Sequence, residues 1–530
     1  MNNTTPVNFR FQQGFSYLVM MLLFVTPILR FSWDIGPKTF INIFTLALAL
    51  IIINTYKLSF NKLRLAAGML FVAIVGVSSV LNSSASFFTS DAFIIADSVF
   101  LAYLSSSIAK DDKRTLLIIP VLVGSVLSII MLIKLMLAYS NIDNDFSSIG
   151  VVFVNYNVIA GYLLMVLPLT LILWENSTAL GVSVSLVILC GLFATGCRTA
   201  IVISCISAGI ILYARRNKGR GQWMPVLSVL ALFAAASFAI MSKPGFSESF
   251  FNRLSWINTS TAMFVKNPFM GVGWGNFGSY YLAYKTGPGL NSLYAHNLLF
   301  QLLAESGLFG LVSFIWLIYS FFRQMIINRG GEGPNLYLPA SLSVFSFLFY
   351  NLFDYGFYIP ALTVLFFIIL GAPGSPQITP QNSGLPGKLV SVLLFVALSF
   401  VFARPLVSSI LLEHSKYYFN SGEYSQAERY AENSIAYNNS NWESYTRLAE
   451  IHFALYSRAK NADELQKAAD SQLKAIHYYP KSAALHSDMA WLYISAGKRD
   501  KALSEIKQAA LLDKYNTKYK NSLTAIEASK

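Results

Sequence analysis

Residues 294–322 read "YAHNLLFQLLAESGLFGLVSFIWLIYSFF". After its first four residues the stretch is almost wholly apolar. It is long enough to cross the hydrocarbon core of a bilayer as a helix, and a helix keeps every backbone hydrogen bond internal. At its entrance stands His296, the single histidine of the first 413 residues. The other four, His414, His452, His477 and His486, all fall in the last quarter of the chain. A titratable ring at the lip of a membrane span therefore organises the reading of the sequence.

The 530 residues are 55% hydrophobic and 12% charged, against about 25% charged for soluble domains. This is a membrane composition. The formal charge of +13 sits in short loops between apolar segments, as membrane orientation requires. No basic face interleaved with aromatics is visible, so nucleic acid is not an expected partner. Cys190, Cys197 and Cys205 lack disulfide or metal spacing and read as small packing residues. The first apolar stretch lacks a small-residue cleavage site and is expected to remain as a span.

Thirteen apolar segments are candidate spans, centred near residues 24, 47, 73, 100, 127, 162, 187, 206, 232, 315, 345, 364 and 400. With a cytoplasmic N-terminus, one set of loops collects Lys57, Lys62, Arg64, Lys110, Lys113, Arg114, Arg215, Arg216, Lys218, Arg220, Arg323 and Arg329. The opposite loops are poor in basic residues, and "YSNIDNDFSSIG" is acidic. Positive charge alternates in step with the helix count. The long loop, about residues 242–297, then lies outside, as does everything after the thirteenth span. In a bacterium that side is the periplasm.

The predicted fold class is all-α, a polytopic membrane bundle of about 12–13 helices over residues 1–412. Residues 413–530 turn polar and repeat. "MAWLYISAGKRDKALSEIKQAALLDK" places Ala490, Tyr493, Gly497, Ala502 and Ala509 on the small and aromatic positions of a 34-residue helix–turn–helix unit. Tyr418, Gly422, Tyr424 and Ala427 fall equivalently, and Ala468, Ala475 and Pro480 suggest a middle unit. Ala427 to Ala468 is 41 residues and Ala468 to Ala502 is 34, so seven extra residues are expected in the "YSRAKNADEL" turn. The tail reads as a three-unit tetratricopeptide solenoid, a surface for a protein partner or a cap without a ligand.

Four polar side chains gather on the outer face. Arg198 lies in "ATGCRTA" between the seventh and eighth spans. Arg253 lies in the amphipathic "FFNRLSWINTSTAMFVKNP", Asp354 in "YNLFDYGFY", and His296 completes the set. Arginine never deprotonates and forks onto phosphate oxygens, so two at one membrane face suit a diphosphate. Histidine suits proton transfer at neutral pH. Structural roles stand beside each: arginine as a lipid anchor, aspartate as a helix N-cap, histidine as a structural helix cap. "GWGNFG" matches G-x-G-x-x-G without a preceding strand, so its glycines read as a tight turn.

Asn297 follows His296, and after nine intervening residues come Gly307 and then Gly310. With the upstream "RLSWINTSTAMFVKNPFMGVGWGNF" and "NYNVIAGYLLMVLP", this resembles the O-antigen ligase / O-antigen polymerase superfamily of bacterial inner-membrane glycosyltransferases. The specific part covers about residues 150–370. The resemblance implies a GT-C-like bundle and a glycan donor on undecaprenyl diphosphate. It implies His296 as general base on the acceptor hydroxyl, and Arg198 and Arg253 as diphosphate ligands. Asp354 and Asn297 would support them. No metal, nucleotide or other cofactor is expected, since a glycosyl diphosphate is already activated. The acceptor would be lipid A-core, a growing glycan or a protein, which makes the enzyme a ligase, a polymerase or a protein O-oligosaccharyltransferase. The thirteenth span and repeat tail depart from simple ligases and leave the acceptor open. A flippase for the lipid-linked sugar is the reading from another class, and it would call for half-repeats that the sequence lacks. A scaffold displaying its repeats is another.

Overall fold

A computed structural model describes residues 6–59, 61–81, 90–108, 110–139, 155–214, 246–287, 289–327, 336–374, 377–381 and 383–528. The helices in chain order are α1 (Pro6–Ile28), α2 (Ile35–Thr55), α3 (Lys62–Leu81), α4 (Ser90–Ser106), α5 (Lys110–Tyr139), α6 (Tyr156–Leu169), α7 (Leu171–Trp174), α8 (Thr178–Ala194) and α9 (Arg198–Ala214). Then come α10 (Phe246–Lys266), α11 (Phe277–Tyr284), α12 (Leu298–Ile327), α13 (Tyr337–Tyr350), α14 (Pro360–Gly371) and α15 (Leu385–Asn420). The tail adds α16 (Tyr424–Tyr437), α17 (Trp442–Ala459), α18 (Ala462–Tyr478), α19 (Ala483–Ser495), α20 (Arg499–Leu512) and α21 (Thr517–Ala528). One antiparallel ribbon, β1 (Tyr56–Ser59) with β2 (Gln377–Pro380), joins the end of α2 to the segment before α15.

The fold is an all-α polytopic membrane bundle. Among the described residues, six helices are long and apolar enough to cross a membrane and five shorter apolar helices accompany them. The segment expected near residue 232 lies outside the described residues. Every residue of α14 is buried, as is α6 from Val158 onward. A helix apolar on all sides belongs in the interior, and these two form the centre. α15 is the opposite case. Leu385, Leu389 and Leu393 stay exposed, as befits a span whose surroundings are hydrocarbon.

Two helices fall short of the length expected of them. α13 has 14 residues and α14 has 12, which at about 1.5 Å per residue gives about 21 and 18 Å. The hydrocarbon core needs about 30 Å. Residues 351–359 make up the difference without α-helix, and Asn351, Asp354, Gly356 and Phe357 there are buried. Irregular backbone at such depth is tolerated only inside protein. Asp354 is thereby carried below the surface of the bundle.

α15 runs unbroken for 36 residues through position 412 and into the first helix pair of the tail. α17 with α18 and α19 with α20 form the next pairs. The extra residues of the middle pair do not sit in its turn. Only Lys460 and Asn461 separate α17 from α18. Instead α17 has 18 residues and α18 has 17, against 13 and 14 for α19 and α20. "YSRA" continues a helix because nothing in it breaks one, and Lys460, in the left-handed conformation at φ 54°, ends it.

The tail rests on the long loop. Tyr479 Oη donates to the Ser279 carbonyl at 3.3 Å, and Ala283 packs against the cluster of Ala502, Ile506 and Ala509. Loop and tail therefore share one face of the molecule.

Candidate functional site

α10 is amphipathic, and Arg253 and Trp256, three residues apart, share one of its faces. Arg253 Nη1 donates to Ser249 Oγ at 2.6 Å and its Nε to the Phe353 carbonyl at 3.3 Å. Trp256 Nε1 donates to the Leu290 carbonyl at 3.0 Å. Its ring stacks on His296 with centroids 4.4 Å apart, while Tyr355 meets the imidazole edge-on at 4.9 Å.

Below this lies a joint made by glycine. α12 is interrupted at Gly307, whose φ of 66° and ψ of −165° are essentially accessible to glycine alone. The break frees backbone groups that pair with the segment after α10. Leu308 N donates to Pro268 O at 2.8 Å, Val272 N to Ala304 O at 2.8 Å, and Gly273 N to Glu305 O at 2.9 Å. A Cβ on Gly307 would stand 2.3 Å from the Phe269 carbonyl carbon. Gly273 of "GWGNFG" thus joins the same contact, and the motif forms a turn as read from the sequence.

Asn297 caps α12. Its Oδ1 accepts from Leu299 N at 3.0 Å and Phe300 N at 3.2 Å, and its Nδ2 donates to Leu352 O at 2.9 Å. Leu298 N donates to Asn351 O at 2.7 Å. The entrance of α12 is so fastened to the buried segment between α13 and α14. His296, just before the cap, takes φ 51°, a conformation unusual for a residue with a side chain.

That arrangement sets His296 Nδ1 3.9 Å from Asp354 Oδ1, too far for a hydrogen bond. Nδ1 has no hydrogen-bond partner among the described residues. Burial, with the Arg253 charge added, holds the imidazole down at about 4 against its ordinary 6.5. The ring is neutral at pH 7, so the contact with Asp354 is not an ion pair there. Asp354 Oδ1 accepts from Tyr355 N at 2.8 Å, and the Tyr350 hydroxyl lies 2.9 Å from Oδ2 and 2.8 Å from the Asn157 carbonyl. Asp354 serves as the N-cap of neither α13 nor α14.

Arg198 opens α9 and makes no hydrogen bond or ion pair with another described residue. It enters the group through its neighbour. Cys197 Sγ lies 4.0 Å from Tyr350 Oη, and the Arg253 charge reaches Cys197 as well. Burial pushes that thiol up to about 11, so it is neutral and not a nucleophile. Of the residues singled out in the sequence, His296 and Asp354 approach each other, and Arg253 and Asn297 are tied to the same segment through the Phe353 and Leu352 carbonyls, while Arg198 contacts none of them. Trp256, Tyr350, Tyr355 and Asn155, whose Nδ2 donates to Tyr355 Oη at 3.1 Å, were not singled out. Trp256 and Asn155 fall in the stretches "RLSWINTSTAMFVKNPFMGVGWGNF" and "NYNVIAGYLLMVLP", and Tyr350 and Tyr355 flank Asp354 in "YNLFDYGFY".

Arg198, Arg253 and His296 all lie within one stretch that matches a known family. Residues 183–315 match the O-antigen ligase family model. The chain carries an O-antigen ligase domain. With its apolar spanning helices, it is a multi-pass membrane protein whose residues 183–315 are of the broad O-antigen ligase and polymerase type of glycosyltransferase. No curated protein matches the chain. Among solved structures, the first TPR of Spaghetti (RPAP3) bound to the HSP90 peptide SRMEEVD matches at 18% identity. It covers 23% of this chain and 91% of that chain, with a TM-score of 0.21.

Proposed function

We propose that this protein transfers a preassembled glycan from undecaprenyl diphosphate to lipid A-core or a related acceptor, on the periplasmic side of a bacterial inner membrane. The observation that carries the reading is a neutral, unsatisfied imidazole set between Arg253 and Asp354 inside the O-antigen ligase domain.

In the reaction the acceptor O–H loses its proton to His296 as its oxygen bonds to the anomeric carbon. The bond from that carbon to the diphosphate oxygen breaks, and undecaprenyl diphosphate leaves with the electron pair. Direct displacement inverts the anomeric centre. Arg253 and Arg198 meet the diphosphate and stabilise the departing charge. With the Nδ1 proton turned towards Asp354, Nε2 is the accepting atom, and Asp354 stabilises the imidazolium. Arg253 is one cause of the low proton affinity of His296. A bound diphosphate offsets that cation, so the base strengthens when the donor arrives.

Residues 1–412 act as the transferase domain and residues 413–530 as a periplasmic tetratricopeptide array that receives a protein partner. The deciding experiment sizes undecaprenyl-diphosphate-linked glycans by mass spectrometry in a strain lacking the protein. Accumulated long polymer is the expected result. Accumulated single repeat units would make the protein a polymerase instead.

A further inference from the structure

α12 carries two buried polar side chains that the proposed chemistry does not use. Gln301 is 2% exposed and Glu305 1% exposed. They stand one turn apart, and Gln301 Nε2 donates to Glu305 Oε1 at 3.0 Å. At the other end of the amide, Gln301 Oε1 accepts from Ala295 N at 2.5 Å. Ala295 is the residue before His296. Glu305 Oε1 accepts in addition from Phe277 N at 3.0 Å, at the start of α11.

A buried carboxylate is expensive without a cation, and Glu305 has no ion-pair partner among the described residues. What the carboxylate does is define direction. Its Oε1 accepts from Phe277 N as well as from Gln301, which turns the Gln301 NH2 group inward and presents its carbonyl oxygen to Ala295. The backbone N–H so captured adjoins the φ of 51° at His296, a conformation an L-residue keeps only when its surroundings over-determine it.

We propose that Glu305 and Gln301 form a positioning relay that fixes the backbone entering His296 and so aims its imidazole between Arg253 and Asp354. This rests on the reading of His296 as the base. Neither residue touches the reacting atoms. Through Phe277 the same carboxylate ties in α11, the loop helix on which the tail rests.

The test uses the full-length protein in lipid nanodiscs. Its donor is the undecaprenyl-diphosphate-linked glycan extracted from the deletion strain, and its acceptor is the envelope fraction of that strain. Gln301→Glu keeps an acceptor for Ala295 but sets two carboxylates face to face. It is expected to lower kcat about 100-fold, the scale of a misplaced catalytic group, with the KM for donor changed less than about twofold. The acid limb of kcat/KM should rise from near 4 towards 6.5 as the loosened imidazole gains water. Pairing Gln301→Glu with Glu305→Gln restores the pattern, because the new amide can donate to the new carboxylate and still accept from Phe277. Recovery of kcat to within about fivefold is expected.

Wild-type kcat and an unmoved acid limb in Gln301→Glu, with His296→Ala inactive, would overturn the relay. So would a paired swap that folds without recovering kcat. If Gln301→Glu does not fold, the paired swap alone decides, by regaining both fold and kcat or failing to. Full transfer by His296→Ala would instead overturn the base assignment.

Discussion

The molecule buries histidine in two contrasting ways. In the tail, His452 Nδ1 lies 2.8 Å from Glu464 and His486 Nδ1 2.6 Å from Glu505, each within hydrogen-bond distance of a carboxylate. In the membrane domain, His296 Nδ1 stops 3.9 Å short of Asp354 and has an arginine for a neighbour. The tail histidines complete their own surroundings. His296 leaves an unfilled position, and its low proton affinity follows from the same burial. The difference separates a histidine that holds a fold from one that waits for a substrate.

Exchanging the two tests this most severely. His296→Ala is expected to cut glycan transfer by about 10²- to 10⁴-fold, the usual share of a general base, with little change in thermal unfolding. His452→Ala should leave transfer intact and cost about 1–3 kcal/mol of stability, because a buried ring and its hydrogen bond to Glu464 are lost and Glu464 keeps only Lys467. Purified variants assayed for transfer and thermal unfolding would show it, and a reversed pattern would break the comparison.

The glycines extend the contrast to the backbone. Gly307 and Gly497 have similar φ values, 66° and 70°. A Cβ on Gly307 meets the Phe269 backbone at 2.3 Å, whereas a Cβ on Gly497 has nothing within 4 Å. Gly307→Ala is expected to cost more than about 3 kcal/mol and to abolish transfer. Gly497→Ala should cost only about 1–2 kcal/mol, the left-handed penalty alone. Unfolding midpoints of the two variants measure the gap.

Arg253→Gln should raise the KM for donor about 10-fold, as one charge-assisted contact is lost. The same change removes a cation that depresses His296, so the acid limb of kcat/KM should move up from about 4. The smallest effect is within the wild type. The kcat/KM profile reports the free enzyme and kcat the donor complex. The anionic donor offsets Arg253, so the acid limb of kcat should lie above that of kcat/KM. Coincident limbs would mean that the diphosphate does not sit at Arg253.

Much of this was legible in the chain because each signal was local. A bilayer demands long apolar segments, so the helices of the membrane domain could be read from hydropathy alone. The lone His296 with Asn297 before an apolar run, and the small-residue spacing of the tail, were legible for the same reason. Repeat boundaries were less so. The sequence offered no break at "YSRA", and only the observed α17 and α18 show that the extra residues lengthen helices.

What tertiary structure decided is which distant groups share a place. The shortness of α13 and α14 is not visible in a continuous apolar run, yet it sinks Asp354 to the depth at which it meets His296. Gly307 breaks α12 only because the Pro268–Gly273 backbone pairs with the exposed carbonyls and amides, a contact made across a long loop. Tyr350, Tyr355 and Trp256 look in sequence like any interfacial aromatics. Gln301 and Glu305 look like polar interruptions of a span. Their roles arise from hydrogen bonds that close only when α10, α12 and the segment before α14 come together, and hydropathy and spacing carry no record of such a meeting.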